Sequence, residues 1–188
     1  MRLLRAAQHR TMPWKNGGGT TTEIAVSPAG ASMEDFDWRV SMAHVGGDGP
    51  FSSFPCIDRT LSILTGEGLD LAFGDGETVR LTEASEPYAF AADRAVTGRL
   101  VSGPIDDLNV MSRRGGWRHH VSRVTGGTIA APAAGEAVML LVTGDGWSVQ
   151  SGAETVTLDR HDAAMLEEAG SLTTGDGEAF LIRIGRGD

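Results

Sequence analysis

Apolar and polar residues alternate over short stretches along most of the chain. Between Trp38 and Val45, tryptophan, valine, methionine and histidine fall on one face, while arginine, serine, alanine and valine fall on the other. A period of two residues is typical of a β-strand with one buried face. Shorter apolar runs at 61–64, 69–73 and 78–81 are separated by glycine-rich turns, so we predict three further strands there.

Only one stretch has a helix-like composition. Residues 162–169 are rich in alanine, methionine, leucine and glutamate, and they end at Gly170. Helices this short are marginal in water, so we expect no long helix in this stretch. The fold class predicted from the pattern is therefore all-β.

Two segments of the chain are repeated. Residues 61–68 (LSILTGEG) align with 139–146 (MLLVTGDG), and residues 77–81 (ETVRL) align with 154–158 (ETVTL), at offsets of 78 and 77 residues. Two matches nearly in register indicate an internal duplication, and a repeat of this size built from short strands suits a small β-barrel. The small, flexible segment 130–135 (AAPAAG) is the predicted linker. We therefore predict an N-terminal domain over 1–128 and a mainly structural C-terminal domain over 129–188.

Composition narrows the functional classes. The chain has 188 residues, 26 glycines and a formal net charge of −9, and this acidic balance disfavours nucleic acid as a partner. Its single cysteine excludes an internal disulfide and fits a cytoplasmic location. No apolar run approaches the roughly 18 residues of a membrane span, so we expect no membrane partner.

Metal and nucleophilic sites are not indicated. The five histidines include no His-x-His pair, and the adjacent His119 and His120 would point to opposite faces of a strand. Cys56 has apolar neighbours and no helix N-terminus to activate its thiol, and no Gly-x-Ser-x-Gly elbow is present. We predict no metal, no catalytic residue and no cofactor.

Polar side chains among glycines suggest a ligand site instead. Lys15 is the only lysine among 16 basic residues, and it lies with Trp14 and Asn16 in the segment PWKNGGGT. A compact ammonium group binds a carboxylate as a point charge, whereas arginine imposes a wider fork. Pockets are mostly apolar with a few converging polar groups, which makes Trp14 a candidate wall residue.

Two other segments contribute candidates of the same kind. Arg59 follows the segment GPFSSFPCID, in which Phe51 is a second candidate wall residue. In a strand through 107–111, Asp107, Asn109 and Met111 share one face, so that Asn109 could orient an amide or carboxyl ligand. Solvent exposure or a surface ion pair with Asp58 is the alternative interpretation of Arg59.

These segments together resemble the HutD/Ves family, which is associated with bacterial histidine utilisation. The matching motifs are PWKNGG at 13–18, TEI at 22–24, WRVSMA at 38–43, GPFSSFP at 49–55 leading into DRTL at 58–61, and DLNVMSRRG at 107–115. The resemblance is clear from about Leu3 to Gly116 and looser beyond. One departure is Cys56, which stands where the family more often has glycine.

The resemblance implies a bicupin, with two cupin-like β-barrels (double-stranded β-helices) in one chain and without the usual cupin metal ligands. It also implies binding of a small acidic metabolite such as N-formyl-glutamate or urocanate, and moderation of histidine degradation. We expect Lys15 and Arg59 to bind carboxylates, Asn16 and Asn109 to bind an amide or formyl group, and Trp14 and Phe51 to form an apolar wall.

Two other functions remain open at this stage. One is a cupin enzyme, metal-free or metal-dependent, acting on a small carboxylate, although the family brings no established catalytic activity. The other is a module that binds an enzyme or regulator of the pathway. A homodimer is compatible with each of these functions.

Overall fold

A computed structural model describes residues 1–15 and 17–187. More than half of these residues lie in β-strands and very few are helical, so the all-β prediction is confirmed. The strands are β1 (Arg2–Leu4), β2 (Arg10–Pro13), β3 (Gly19–Ser27), β4 (Trp38–Val45), β5 (Gly49–Pro50), β6 (Ile57–Thr65), β7 (Leu69–Phe73), β8 (Thr78–Leu81), β9 (Tyr88–Ala91), β10 (Val96–Leu100), β11 (Ile105–Arg113), β12 (Trp117–Val124), β13 (Gly127–Ile129), β14 (Ala137–Val142), β15 (Trp147–Ser151), β16 (Glu154–Leu158), β17 (Ala163–Leu166), β18 (Gly170–Thr173) and β19 (Ala179–Arg186). The one helical element in these ranges is a 3-10 turn at Ala6–Gln8, and no helix there is long and apolar enough to cross a membrane.

The chain divides into two compact units. The first unit is Arg10–Gly116, and the second combines Met1–His9 with Trp117–Asp188. The division predicted from the sequence, between residues 128 and 129, falls within β13 and therefore inside the second unit. The difference arises because β12 pairs along its whole length with β19 and so belongs to the second unit. The segment 130–135, predicted as a linker, likewise lies within the second unit.

The first unit consists of two antiparallel sheets that share a large apolar core, with a second, smaller apolar cluster around Phe36. The larger sheet has the strand order β2-β3-β4-β11-β6-β9, and the smaller has the order β5-β10-β7-β8. Side chains from both sheets form the core, for example Leu61 and Ile63 from the larger and Leu69 and Leu71 from the smaller. The face of the larger sheet that carries Leu61 and Ile63 is called the inner face below.

The second unit repeats eight strands of this arrangement. Its sheets have the orders β1-β17-β14-β19-β12 and β13-β18-β15-β16. The eight strands β12–β19 therefore pair as β4–β11 do, with β14 in the place of β6 and β19 in the place of β11. The repeated sequence segments fall on these equivalent strands, in agreement with an internal duplication.

The N-terminal strand belongs to the second unit. β1 pairs with β17, and a buried carboxylate holds the turn that follows β1. Asp162 accepts hydrogen bonds from Arg5 Nη1 at 2.6 Å and from the Ala6 amide at 2.8 Å. Both oxygens of this buried carboxylate therefore accept hydrogen bonds from groups of the second unit.

Two details differ from the sequence pattern. The helix-like stretch 162–169 contains a strand, β17, because pairing with both β1 and β14 outweighs the weak helical preference. β4 is buried on both faces rather than one, with Val40 fully buried and Arg39 only 4% exposed. The alternation in β4 therefore separates an apolar face from a buried polar face.

Candidate functional site

Two buried arginines flank a methionine on the inner face of the first unit. In the strand register, Arg39 of β4 lies opposite Met111 of β11, which lies opposite Arg59 of β6, and Arg59 lies opposite Phe90 of β9. Directly opposed residues of antiparallel strands project to the same face. Arg39 and Arg59 are only 4% and 5% exposed, and arginine is seldom buried to this extent without a partner.

Arg39 has such partners on its own side of the sheet. Its Nε donates to Oε2 of Glu23 at 2.8 Å, and its Nη1 donates to the hydroxyl of Ser41 at 3.3 Å. Glu23 is on β3 and lies opposite Ser41. The acceptors of Arg39 therefore come from its own strand, β4, and from the neighbouring strand β3. The charge of Arg39 is therefore balanced inside the protein.

Arg59 is surrounded by aromatic rings instead. Its guanidinium carbon lies 5.3 Å from the ring centres of both Phe51 and Phe54, and 5.8 Å from that of Phe90. One Nη lies 4.0 Å from the sulfur of Met111. Among the described residues, its Nε has no hydrogen-bond acceptor, and no carboxylate lies within ion-pair distance. Cation–π contact stabilises this cation without using its N–H donors.

The burial of Arg59 has an electrostatic consequence. Desolvation lowers the pKa of Arg59 to about 10, an effect that the charge of Asp107 opposes and that of Arg39 reinforces. A pKa of about 10 still leaves the group charged at neutral pH. Arg59 is thus a buried cation whose guanidinium has no directly bonded anion in the described part of the chain.

A carboxyl and an amide group lie along β11 on the same face. Asn109 is opposite Ser41, and Asp107, two residues earlier, is opposite Ala43. The Asn109 amide donates a hydrogen bond to Asp107 Oδ1. Asp107 is 1% exposed, and burial raises its pKa to about 7, against the opposing charge of Arg59. Its carboxyl group therefore changes protonation near neutral pH.

Two of the three rings around Arg59, those of Phe51 and Phe54, come from the segment between β5 and β6. The amide of Phe51 donates to the Val96 carbonyl at 2.9 Å, and the amide of Phe54 donates to the Ala92 carbonyl at 2.9 Å. Gly98 provides the space for the first ring, because a Cβ at this position would lie 2.8 Å from Phe51 Cε2. The backbone hydrogen bond of Phe51 and the absence of a side chain at Gly98 together hold the Phe51 ring over the guanidinium of Arg59.

The same segment ends in an unusual backbone conformation. Cys56 is exposed and has a φ of 60°. This left-handed region is the one that glycine adopts at low cost, whereas other L-residues incur strain there. The expectation of glycine at this position therefore corresponds to a backbone conformation that glycine adopts more easily than cysteine.

The sequence-predicted site residues are distributed unevenly around this cluster. Trp14 and Phe51 pack against the same core, and Trp14 Nε1 also donates to Thr21 Oγ1 at 2.7 Å. Lys15 is exposed in the turn that connects β2 to β3. Asn16, the predicted amide ligand in this turn, lies outside the described residues.

Arg59 and Asn109 lie on the inner face of the larger sheet. The surface pairing considered for Arg59 does not occur. Asp58 instead accepts from Arg114 at 2.8 Å. Sequence reasoning missed several members of the cluster. They are Glu23, Arg39, Ser41, Phe54, Phe90, Asp107 and Met111. The signal available for Arg39 was a charge within a strand whose other residues are almost all uncharged.

The chemistry of the cluster is compatible with an oxyanion ligand. A guanidinium presents N–H donors in a planar fork that matches the two oxygens of a carboxylate. Apolar walls around a few fixed polar groups are typical of small-molecule sites. In residues 1–15 and 17–187, no group of three or more histidine, cysteine, aspartate or glutamate side chains could hold a metal ion.

Comparison with known structures defines the class of fold. The chain matches a cupin 2 conserved barrel domain protein from Leptotrichia buccalis with a TM-score of 0.61 at 7% identity, over 98% of this chain and all of that one. This likeness concerns the fold alone. The protein therefore has a cupin-like β fold with a buried basic cluster on the inner face of its first unit.

Sequence comparison then defines the family. The HutD family model matches residues 6–182, and the chain belongs to the HutD family. It is 32% identical to Protein Ves of Citrobacter koseri, over 87% of this chain and 88% of that protein. It is 30% identical to HutD from Pseudomonas fluorescens SBW25, whose structure in a formate condition gives a TM-score of 0.81, over 100% of this chain and 99% of the other.

A further relative matches only in part. An uncharacterized 21.2 kDa protein from the hutC 3' region of Pseudomonas putida is 37% identical over 111 residues. This match covers 59% of the present chain and 57% of the relative. The family resemblance inferred from the motifs is confirmed by these comparisons.

Proposed function

We propose that the first unit binds a small carboxylate at Arg59 and that this binding moderates histidine degradation. The observation that carries the proposal is the buried guanidinium of Arg59, which has aromatic neighbours and no directly bonded anion among the described residues. A buried charge is costly to leave uncompensated, and a ligand carboxylate would supply the compensation. We also infer that each unit is a cupin-like barrel, which would make the chain a bicupin.

The ligand that fits this proposal is N-formyl-glutamate or urocanate. Arg59 would bind one carboxylate, and Asn109 would hydrogen-bond the formyl or amide group, as would Asn16. Lys15 is exposed, so it would meet a second carboxylate from the solvent side. Phe51 and Trp14 would contact the apolar part. Support for this ligand class comes from membership of the HutD family.

Substitution of Arg59 tests the proposal. Arg59→Met keeps much of the side-chain volume and removes the charge. We expect it to weaken binding of N-formyl-L-glutamate, urocanate and formate by at least 100-fold in calorimetry, because hydrogen bonds to charged groups contribute about 1.5–3 kcal/mol each. Arg80→Met is the matched control, since Arg80 is exposed and pairs with Asp70 at 2.7 Å.

The outcomes separate the roles of the residues. Equal affinities of Arg59→Met and the wild-type protein for a carboxylate that does bind would refute Arg59 as its ligand. No binding of any of the three compounds to the wild-type protein would refute the proposed function. We expect Lys15→Ala to weaken the binding of N-formyl-L-glutamate, which has two carboxylates, more than the binding of formate. If Lys15→Ala and the wild-type protein bind N-formyl-L-glutamate with equal affinity, Lys15 is not part of the site.

A further inference from the structure

Six charged side chains lie on the inner face of the larger sheet in the first unit. Three of them, Arg39 on β4, Arg59 on β6 and Asp107 on β11, are buried, and Glu23 on β3 is in contact with Arg39. The other two are Arg10 of β2, which is opposite Glu23 and exposed, and Arg113 of β11, which donates to the backbone carbonyls of Glu34 and Phe36. Tyr88 of β9 is a further titratable group on this face, and its hydroxyl donates to Glu77. The buried charges and their contact partner are therefore two formal positive and two formal negative charges.

Only one of the two opposite-charge pairs is in contact. Glu23 and Arg39 are 2.8 Å apart. Asp107 and Arg59 influence each other's pKa, but in the described structure they form no direct ion pair. Asp107 thus acts as a counter-ion of Arg59 through space, and the N–H donors of Arg59 stay available for another acceptor.

A carboxylate bound to Arg59 changes the balance of positive and negative charge around this side chain. It places a second negative charge near a cation that until then had only Asp107 as its uncompensated counter-ion. Two carboxylates near one buried cation do not both stay ionised, because the low polarity of the surroundings makes their repulsion strong. One of the two then takes up a proton.

Asp107 is the group placed to take that proton. Glu23 is already in direct contact with the guanidinium of Arg39. Asp106, the adjacent carboxylate, points to the other face, where it accepts from Thr65 Oγ1 at 2.9 Å and lies 2.8 Å from His44 Nδ1. In Asp107, the Asn109 amide occupies Oδ1, so Oδ2 can carry the proton as a neutral carboxylic acid.

We propose that Asp107 couples anion binding to proton uptake, so that each carboxylate bound at Arg59 brings one proton from solvent into the first unit. This inference rests on the proposed function of Arg59. The chemical class of the ligand is then an acid taken up as an anion plus a proton. Burial, which brings the pKa of Asp107 to about 7 before a ligand arrives, makes the uptake measurable near neutral pH.

Calorimetry with formate and N-formyl-L-glutamate tests the coupling in the unmodified protein. Titrations at one pH in buffers of different ionisation enthalpy give the number of protons taken up per ligand. We expect close to one proton at about pH 8 and almost none at about pH 5.5, where Asp107 is already protonated. Affinity should fall by up to tenfold for each pH unit above about 7.

Asp107→Asn removes the acceptor while preserving the shape of the side chain. We expect this variant to bind the same compounds with no proton uptake and with affinity independent of pH between about 6 and 8.5. Asp70→Asn is the matched control, because Asp70 pairs with Arg80 away from the cluster, and it should retain the proton uptake.

Three results would overturn the coupling. Binding to the wild-type protein without proton uptake at either pH would refute it and leave the Arg59 site intact. Full proton uptake in Asp107→Asn would assign the proton to another group. Absence of binding at every pH would refute both the coupling and the proposed function. The wild-type titration decides the question even if Asp107→Asn does not fold.

Discussion

At the scale of single residues, Arg39 and Arg59 have similar burial but different chemistry. Arg39 donates to Glu23 and Ser41, so its charge stabilises the sheet from within. Arg59 is enclosed by rings that attract the cation but accept none of its strong hydrogen bonds. Departures from the rule that buried charges are paired are expected at functional sites. This difference is the reason why we propose Arg59, rather than Arg39, as the ligand-binding group.

Cys56 allows a test of backbone strain. Its φ of 60° costs a residue with a Cβ roughly 1 kcal/mol, so Cys56→Gly should raise the free energy of unfolding by about that amount. Chemical denaturation measures the effect. Cys56→Ala is the control, because it removes the thiol and keeps the strain, and it should leave the stability almost unchanged. Equal stabilisation by both substitutions would assign the effect to the exposed thiol.

The sequence identified part of the site, for physical reasons that differ between residues. Asn109 was accessible to prediction because alternation along β11 assigns it to a face. Arg59 stood out beside a turn, although its burial was not predictable from local pattern. Arg39 was missed because alternation in β4 separates polar from apolar residues, and it cannot show that the polar face is also buried. Burial of that face depends on strands that are distant in sequence.

At the scale of elements, β10 controls where the aromatic cover of Arg59 lies. Gly98 of β10 leaves the space that the Phe51 ring fills. Gly98→Ala should displace this ring, destabilise the first unit by about 1–3 kcal/mol and weaken carboxylate binding. Gly47→Ala is the control, since a Cβ at Gly47 meets no atom within 4 Å. Unchanged binding in Gly98→Ala would show that Phe51 is not required over the cation.

Elements with local signals were predictable, and those that depend on remote partners were not. The bounds of β7 and β8 agree with the predicted runs 69–73 and 78–81, because turns flank both strands. β17 had a helix-like composition, and it is a strand because β1 and β14 pair with its two edges. β1 lies about 160 residues away from β17 in sequence, so no window of local pattern contains both.

At the scale of the whole molecule, the two units share a strand order but differ in their buried charges. Among the described residues, the buried charged side chains of the first unit are Arg39, Arg59 and Asp107, and that of the second is Asp162. The carboxylate of Asp162 accepts hydrogen bonds from Arg5 and from two backbone amides. Within residues 1–15 and 17–187, only the first unit therefore has a buried charge with a donor that lacks an acceptor, namely Arg59 Nε.

This asymmetry predicts the stoichiometry of binding. The strands β14 and β19 correspond to β6 and β11, and their core-facing side chains include Val138, Leu140 and Ala179. Without a buried cation, the second unit should bind no carboxylate. Calorimetry with N-formyl-L-glutamate should give one ligand per chain, and Arg59→Met should remove all of the binding. Two ligands per chain, or one that survives Arg59→Met, would contradict this expectation.

The position of Cys56 also makes the protein convenient to label. It is the single thiol in the sequence, it is exposed, and it lies two residues from Phe54, whose ring covers Arg59. A maleimide dye would therefore attach at one place on every molecule without prior removal of other cysteines. A fluorophore sensitive to its surroundings at that place would convert occupancy of the basic cluster into an optical signal. The same chain could then serve as a reagentless sensor for small organic acids.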